Sequence, residues 1–493
     1  MKRVLLASLG VLTVATVILH RTLPAQRSAV PVITWVTDDD QVRHDTVALF
    51  GRWLAENRLP PVDLRIDLRD NTPTGPSKAL IQGVSGVADD LTDVYMNQLE
   101  PFQKAGILLD VTDIARARGF GAALTYPAVR SDLEVMGRQY GFPRAVDSAL
   151  LWVNRATFAR YGIAEPPSRW NWDQFEEIGL RFVAAANPPG SRQRVFFLNR
   201  VWLPLLRRGL GLSTFNETMT RCTLDDPRNV EVLRRAYRWT VTDRLLPTQA
   251  EQYALVSDAT GFDSSFSLFA SGRFAMIYEG LWALIRLHPR GEFQLRVVEP
   301  FTGGFPNVEV GSGAVCVYAG SPHPELACLF LQFLASRPFN LLVARSGDSM
   351  PPLPSYARTD DFLHPPHHPG EAGVQEFFAD TTRDCGIAAS RSPFILPNEV
   401  FRIDREEFEE VLAGRASPEE GARVAAARIN AGIALNLAAE PGLRRLYRER
   451  CDVQERIAER RAAGRPVPAN WISDPFHLAY YRARGWLDKG GVP

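Results

Sequence analysis

Three consecutive carboxylates, Asp38, Asp39 and Asp40, close an apolar stretch that contains Trp35. Paired carboxylates can coordinate Ca²⁺ or run glycoside chemistry. Adjacent side chains point in different directions, however, and one of the three is placed to cap the helix that follows. The better role for another is to accept hydrogen bonds from ligand hydroxyls. Further hydrogen-bonding candidates stand at Asn97, Arg144, Ser312 and Asp348, and candidate stacking rings at Trp35, Tyr95 and Trp282. An indole supplies a large rigid face at low entropic cost. Trp202 reads equally as core or as cleft. His364, His367 and His368 sit in a Pro-rich loop with no Cys or periodic partner nearby, a poor start for a metal site. The sequence has no nucleophile elbow, zinc motif or phosphate loop, so neither catalysis nor a cofactor is expected.

These residues need a scaffold, and the chain is large enough for two domains, with 493 residues and 45% hydrophobic content. Lys plus Arg equals Asp plus Glu at 56 each, so no global field draws the chain to nucleic acid. Five Cys, an odd number, form neither a disulfide framework nor a metal-spaced cluster. Cys316 and Cys328 either pair or remain as two buried thiols.

Val32, Ile33, Trp35 and Val36 read as a first strand, and Val42, Leu49, Phe50, Trp53 and Leu54 recur at helical spacing. Val62, Leu64, Ile66 and Leu68 alternate as a second strand. A loop over Thr72 to Pro76 leads to a helix near Ser77 to Gln82, then a short strand from Asp93 to Met96. This β-α-β-α-β order predicts a mainly parallel sheet with helices on both faces. Ligands bind beyond the carboxyl ends of such strands, here Thr37 to Asp40 and Met96 to Gln98. Gly137 to Asn154 is the stretch around which the rest is organised. Gly141 and Pro143 interrupt it, and the apolar run Ala149 to Val153 follows. It is either an ordinary hairpin or a chain leaving one compact unit for another.

The flanking motifs favour the second reading. Gly106-Ile-Leu-Leu-Asp110-Val-Thr112 stands upstream, and Trp170-Asn171-Trp172-Asp173-Gln174-Phe175 downstream. Gly272-Arg-Phe-Ala-Met276 with Gly280-Leu-Trp282 follows, then Ser321-Pro-His-Pro-Glu325 with its apolar helix. In this order and at these intervals the set resembles the extracellular solute-binding proteins of ABC importers, in particular the carbohydrate-binding family that includes maltose-binding protein. The resemblance spans roughly residues 31 to 437. It implies a two-lobed α/β fold, each lobe a mainly parallel sheet flanked by helices, joined by hinge strands. The Tyr140–Pro143 segment would be the first hinge and Phe293 to Val298 the second. It also implies Trp282 stacked on the apolar face of a pyranose, a carbohydrate ligand, a membrane permease as partner, and a monomer. The rival use of the same fold is a membrane-tethered sensor that does not import.

The resulting division places residues 30–142 and 300–346 in lobe 1, and 143–299 and 347–440 in lobe 2. Lys2 and Arg3 before the apolar stretch Val4 to Leu19 have the layout of an export signal, cleaved or kept as an anchor, within residues 1–29. The expected location is the periplasm or the outer face of the cytoplasmic membrane. Residues 441–493 depart from the family pattern, with eight Arg between 444 and 465 followed by Trp471, Tyr480, Tyr481 and Trp486. They are either a helical extension docked on the second lobe or a contact for a membrane partner or anionic lipid.

Overall fold

Ile33, Trp35 and Thr37 are buried while the residues between them keep some surface, so the first strand sits with one face in a core. The computed structural model describes residues 30–69, 75–95, 98–200, 202–256, 264–291, 293–365 and 371–488. The export-signal reading, Asn97, His367 and His368 lie outside them.

Beside a small sheet in which Glu134–Val135 pairs with Arg138–Gln139, ten strands among the described residues build the two main sheets. They are β1 (Val32–Thr37), β2 (Asp63–Leu68), β3 (Leu91–Tyr95), β4 (Gly141–Ser148), β5 (Leu150–Asn154), β6 (Phe196–Leu198), β7 (Phe274–Glu279), β8 (Leu295–Val298), β9 (Val308–Val317) and β10 (Gly386–Ala388). The first sheet runs β10-β9-β3-β1-β2, with β4 also on β9; the second runs β8-β5-β7-β6. β1 pairs in parallel with β2 and β3, β9 with β10, and β6 with β7. The antiparallel pairs involve β4, β5, β8 and β9, the strands that carry the chain between sheets. Two of the three pairings in the second sheet are therefore antiparallel.

β4 belongs to the first sheet and β5 to the second, with only Ala149 between them. The chain returns from β8 in the second sheet to β9 in the first through Glu299–Asn307. A third tie is the bridge between Val146 and Met350, closed by backbone bonds of 3.1 and 3.0 Å. Gly141 has to be glycine here: a Cβ would lie 2.6 Å from the Val315 carbonyl oxygen.

Each sheet is covered on both faces. Ile33, Trp35, Phe50, Phe142, Val315 and Phe330 form one core, with Val94, Leu99, Phe102 and Cys316 opposite. In the second sheet Leu151, Val153, Phe175 and Met276 face one side and Leu150, Trp152 and Ile277 the other. Local signals hold at the helix starts. Asp40 caps Gln41–Glu56 by accepting from Arg43 N, and Asn171 with Gln174 forms a capping box on Trp172–Ala186. Ser417 accepts from Glu420 N ahead of Pro418–Ala439. Trp170, Trp172 and Trp239 are core residues. All five cysteines are free thiols, with Cys222, Cys316 and Cys328 buried.

Residues 441–488 fold back onto the body as the helices Pro441–Ala462 and Pro475–Arg484. Tyr480 and Tyr481 are buried, Trp471 lies beneath Arg456 with the guanidinium 3.9 Å from its ring, and Trp486 stays partly exposed. Among the described residues no single helix is long and apolar enough to cross a membrane.

Candidate functional site

Arg144 centres a buried polar cluster where the first sheet hands over to the second. It stands on β4 and is 6% exposed. Nε donates to Asp93 Oδ2 at 2.7 Å and Nη2 to the Tyr95 hydroxyl at 2.5 Å. Asp38 and Asp348 carboxylate oxygens lie 3.7 and 3.8 Å from its Nη2 and Nη1. Tyr95 donates in turn to Asp38 Oδ2 at 3.3 Å. Arg43 donates to Asp348 at 2.6 Å and lies 3.6 Å from Asp40.

Parallel strands explain this convergence. Asp38 follows β1 and Tyr95 ends β3, so both stand at carboxyl ends, where open α/β sheets collect ligands. Burial works against the charge on Arg144, but Asp93, Tyr95, Asp348 and Asp38 outweigh it and raise its pKa well above the usual value. Burial also pushes the Tyr95 phenol up to about 12, so the hydroxyl keeps its proton and can donate to Asp38.

A second group adjoins this cluster. Asp147, near the end of β4, accepts at Oδ1 from the N–H groups of Leu281 (3.0 Å) and Ser148 (2.9 Å). Its Oδ2 and the Trp282 Nε1 both lie against Gly280, whose Cβ would fall 1.9 and 2.5 Å from them. Glu279 ends β7 and meets Arg200 at 3.1 Å. Burial holds the Asp147 carboxyl well above the usual range, and the neighbouring Asp348 and Glu279 add to it. Burial raises Glu279 as well, against the pull of Arg200.

Folded Asp147 holds its proton more tightly than the unfolded chain does, so its contribution to stability declines as pH rises above the ordinary carboxylate value. Asp147→Asn keeps the accepting oxygen and removes the charge. Its Tm is expected to exceed that of the unaltered chain at neutral pH, with the gap closing by about pH 4. Thermal unfolding across that range checks this; a gap that widens on acidification contradicts it.

The structure brings Asp38, Tyr95, Arg144 and Asp348 into contact and sets Trp282 beside the adjoining Asp147. Trp35 is elsewhere: it is 1% exposed, packs on Phe330 with ring centres 4.9 Å apart, and donates its indole N–H to Asp93 at 2.8 Å. Its ring is core and not an open stacking face, because it shares the inward side of β1 with Ile33. Ser312 is also turned away, bonding Asp132 Oδ2 through N (2.8 Å) and Oγ (3.1 Å). The adjacent Gly313 is the residue that faces Arg144: a Cβ there would lie 3.5 Å from its guanidinium carbon. Asp39 is exposed and pairs with His44 at 2.7 Å. Trp202 packs on Phe401 with ring centres 5.5 Å apart and lines a small hollow with Phe175, Leu206, Trp239 and Tyr278. Trp282 is half-buried, edge-on to Phe266.

Sequence reasoning missed Asp147, Glu279 and Arg43. Asp147 sits inside an apolar run, and only its place two residues before the crossing at Ala149 could have marked it. Among the described residues, no group of three or more His, Cys, Asp and Glu could hold a metal ion.

Two sheets joined by crossing strands, with polar and aromatic groups gathered at the crossing, define a two-lobed solute-binding fold. The chain belongs to the bacterial extracellular solute-binding proteins, whose family profile matches residues 71–338. This family places it outside the cytoplasm, and its members are binding proteins. Among solved structures, an ABC substrate-binding protein from Listeria monocytogenes in complex with cycloalternan superposes with a TM-score of 0.68 at 18% identity, covering 82% of this chain and 99% of its own. An ABC transporter solute-binding protein from Thermotoga lettingae bound with α-D-tagatose gives 0.68 at 17%, covering 82% and 100%. The maltose/maltodextrin-binding domain from Bdellovibrio bacteriovorus bound to maltotriose gives 0.65 at 17%, covering 83% and 100%. A search of curated proteins finds no match to this sequence.

Proposed function

We propose that the chain binds a sugar or oligosaccharide between its lobes and delivers it to an ABC permease in the membrane. The observation that carries this is the pairing of the Asp38–Tyr95–Arg144–Asp348 cluster with Asp147 and Trp282 where β4 crosses into β5. Carboxylates and a phenol offer acceptors and donors for hydroxyls, and an indole offers a face for C–H groups. The saccharides in the three solved relatives support this ligand class. Asp38, Tyr95, Arg144, Asp147, Trp282 and Asp348 are the proposed contacts, with Asn97 two residues past Tyr95 in the sequence. Binding closes the cleft because the closed state gains contacts from both lobes. The protein acts as a carrier and not as an enzyme.

A thermal-shift screen of the chain from residue 31 tests the reading with maltose, maltotriose, tagatose, sugar phosphates, amino acids and divalent metals. A ligand at a hundredfold its Kd stabilises by about 2.7 kcal/mol. A saccharide shift that is lost in Trp282→Ala is expected. A shift with metals or amino acids alone would overturn the sugar assignment.

A further inference from the structure

We propose that residues 441–488 form a strap over the seam between the two lobes and limit how far the cleft opens. This rests on the reading that the lobes move about the crossing strands. Four solved structures of the same fold are covered over 98–100% of their length yet cover only 80–83% of this chain, so part of this chain has no counterpart in them.

The strap has two sets of anchors. On the second-lobe side Glu217 is 4% exposed and accepts from Tyr481 Oη, from Arg461 at 2.7 Å and from Gln454 at 2.8 Å. Its backbone carbonyl accepts from Ser473 N and Asp474 N at 2.9 and 3.0 Å. Gly211, at φ +77°, lies so close under Tyr480 that a Cβ would meet the ring at 2.3 Å. Glu217 and Gly211 follow the helix Leu203–Gly209, whose Leu203, Leu205 and Leu206 belong to the second-sheet core.

On the other side the strap grips the first sheet and the returning connection. Ile387, on β10, shares one apolar cluster with Ile457, Val467, Phe476 and Tyr481. Phe305, between β8 and β9, meets Phe476 and Tyr480 edge-on at ring-centre distances of 5.6 and 5.0 Å. Ser390 donates to the fully buried Asp474 at 2.5 Å, and Asp474 caps the last helix and pairs with His477 at 2.7 Å. Beneath Phe476 runs Arg208, which leaves the second-lobe helix to bond Asn307 at 2.9 Å and Glu309 at 3.2 Å. Its guanidinium lies 4.9 Å from the Phe476 ring. Rotating one lobe on the other would pull this cluster apart.

The test is the distance between genetically encoded spin labels at Arg116 and Arg181, both exposed, on helices of the first and second lobes. It is read by pulsed dipolar spectroscopy without ligand. The full chain should give one narrow distribution. Full-length Phe476→Ala/Tyr480→Ala, and separately a chain ending at Glu440, should each add a longer-distance population while far-ultraviolet circular dichroism shows folded lobes. Distributions that superpose on that of the full chain in both variants overturn the strap. Adding maltotriose to the unaltered chain speaks only to the ligand: contraction supports the saccharide reading, and its absence counts against that reading without touching the ligand-free comparison.

Discussion

Arg144→Met is expected to lower the free energy of unfolding by about 3–5 kcal/mol, the usual cost of removing one member of a buried charge network. The side chain is 6% exposed, and its Asp93 and Asp348 partners have side chains that are 0% and 7% exposed. Methionine fills much of the volume, so the loss comes from charge and not from a cavity. Arg43 remains on Asp348, but Asp93 loses its cation and Tyr95 loses the donor that fixes its hydroxyl. Denaturant unfolding at neutral pH measures the loss. A loss below about 1 kcal/mol, the range of exposed pairs, would mean that the cluster is solvated.

Gly280→Ala should cost about 1–3 kcal/mol and also abolish saccharide-dependent stabilisation. The new methyl would fall 1.9 Å from Asp147 Oδ2 and 2.5 Å from Trp282 Nε1. Asp147 is a short side chain pinned by two backbone N–H groups, so it cannot swing aside without stranding them. The alternative is that Trp282 moves, and the proposed stacking face moves with it. Gly51→Ala is the control: nothing lies within 4 Å of that position in the helix Gln41–Glu56, and a gain of about 0.4–1 kcal/mol is expected. Urea unfolding and a maltotriose titration of both variants decide. Unchanged binding in Gly280→Ala would remove the Asp147–Trp282 group from the site.

Much of the fold was legible because local chemistry and burial agree. The alternation in β1, the cap at Asp40 and the capping box at Asn171 each place an element within a residue or two. The motifs around Tyr140–Pro143 pointed at the stretch that crosses, but the strand they mark stays in the first sheet to Ser148 and the change of sheet comes at Ala149. The site was harder, because strand parity decides which side chain reaches the cleft. Ser312 and Gly313 differ by one residue and face opposite ways, and the ring of Trp35 went to the core while Tyr95 reached Arg144. Glu279 and Asp147 stand in apolar runs that advertise only a buried strand. Arg43 lies on the helix Gln41–Glu56 and meets a carboxylate 305 positions away in the chain, a contact that no local pattern signals. None of this depends on propensity; it depends on which face each strand turns to its partner, which only assembled sheets reveal.

The buried thiols bear on the compartment in which the chain works. Burial pushes Cys222 up to about 12 and Cys328 up to about 11, and raises Cys316 as well. A thiol must become a thiolate to attack a disulfide or to be oxidised, and these three stay protonated at any physiological pH. Outside the cytoplasm, where oxidants and exchange catalysts are abundant, the folded protein therefore offers only Cys385 and Cys451 to them. Redox resistance here is a by-product of packing, and it is acquired only on folding. Before it folds the chain exposes all five sulfurs, so rapid folding protects the protein from mispaired disulfides.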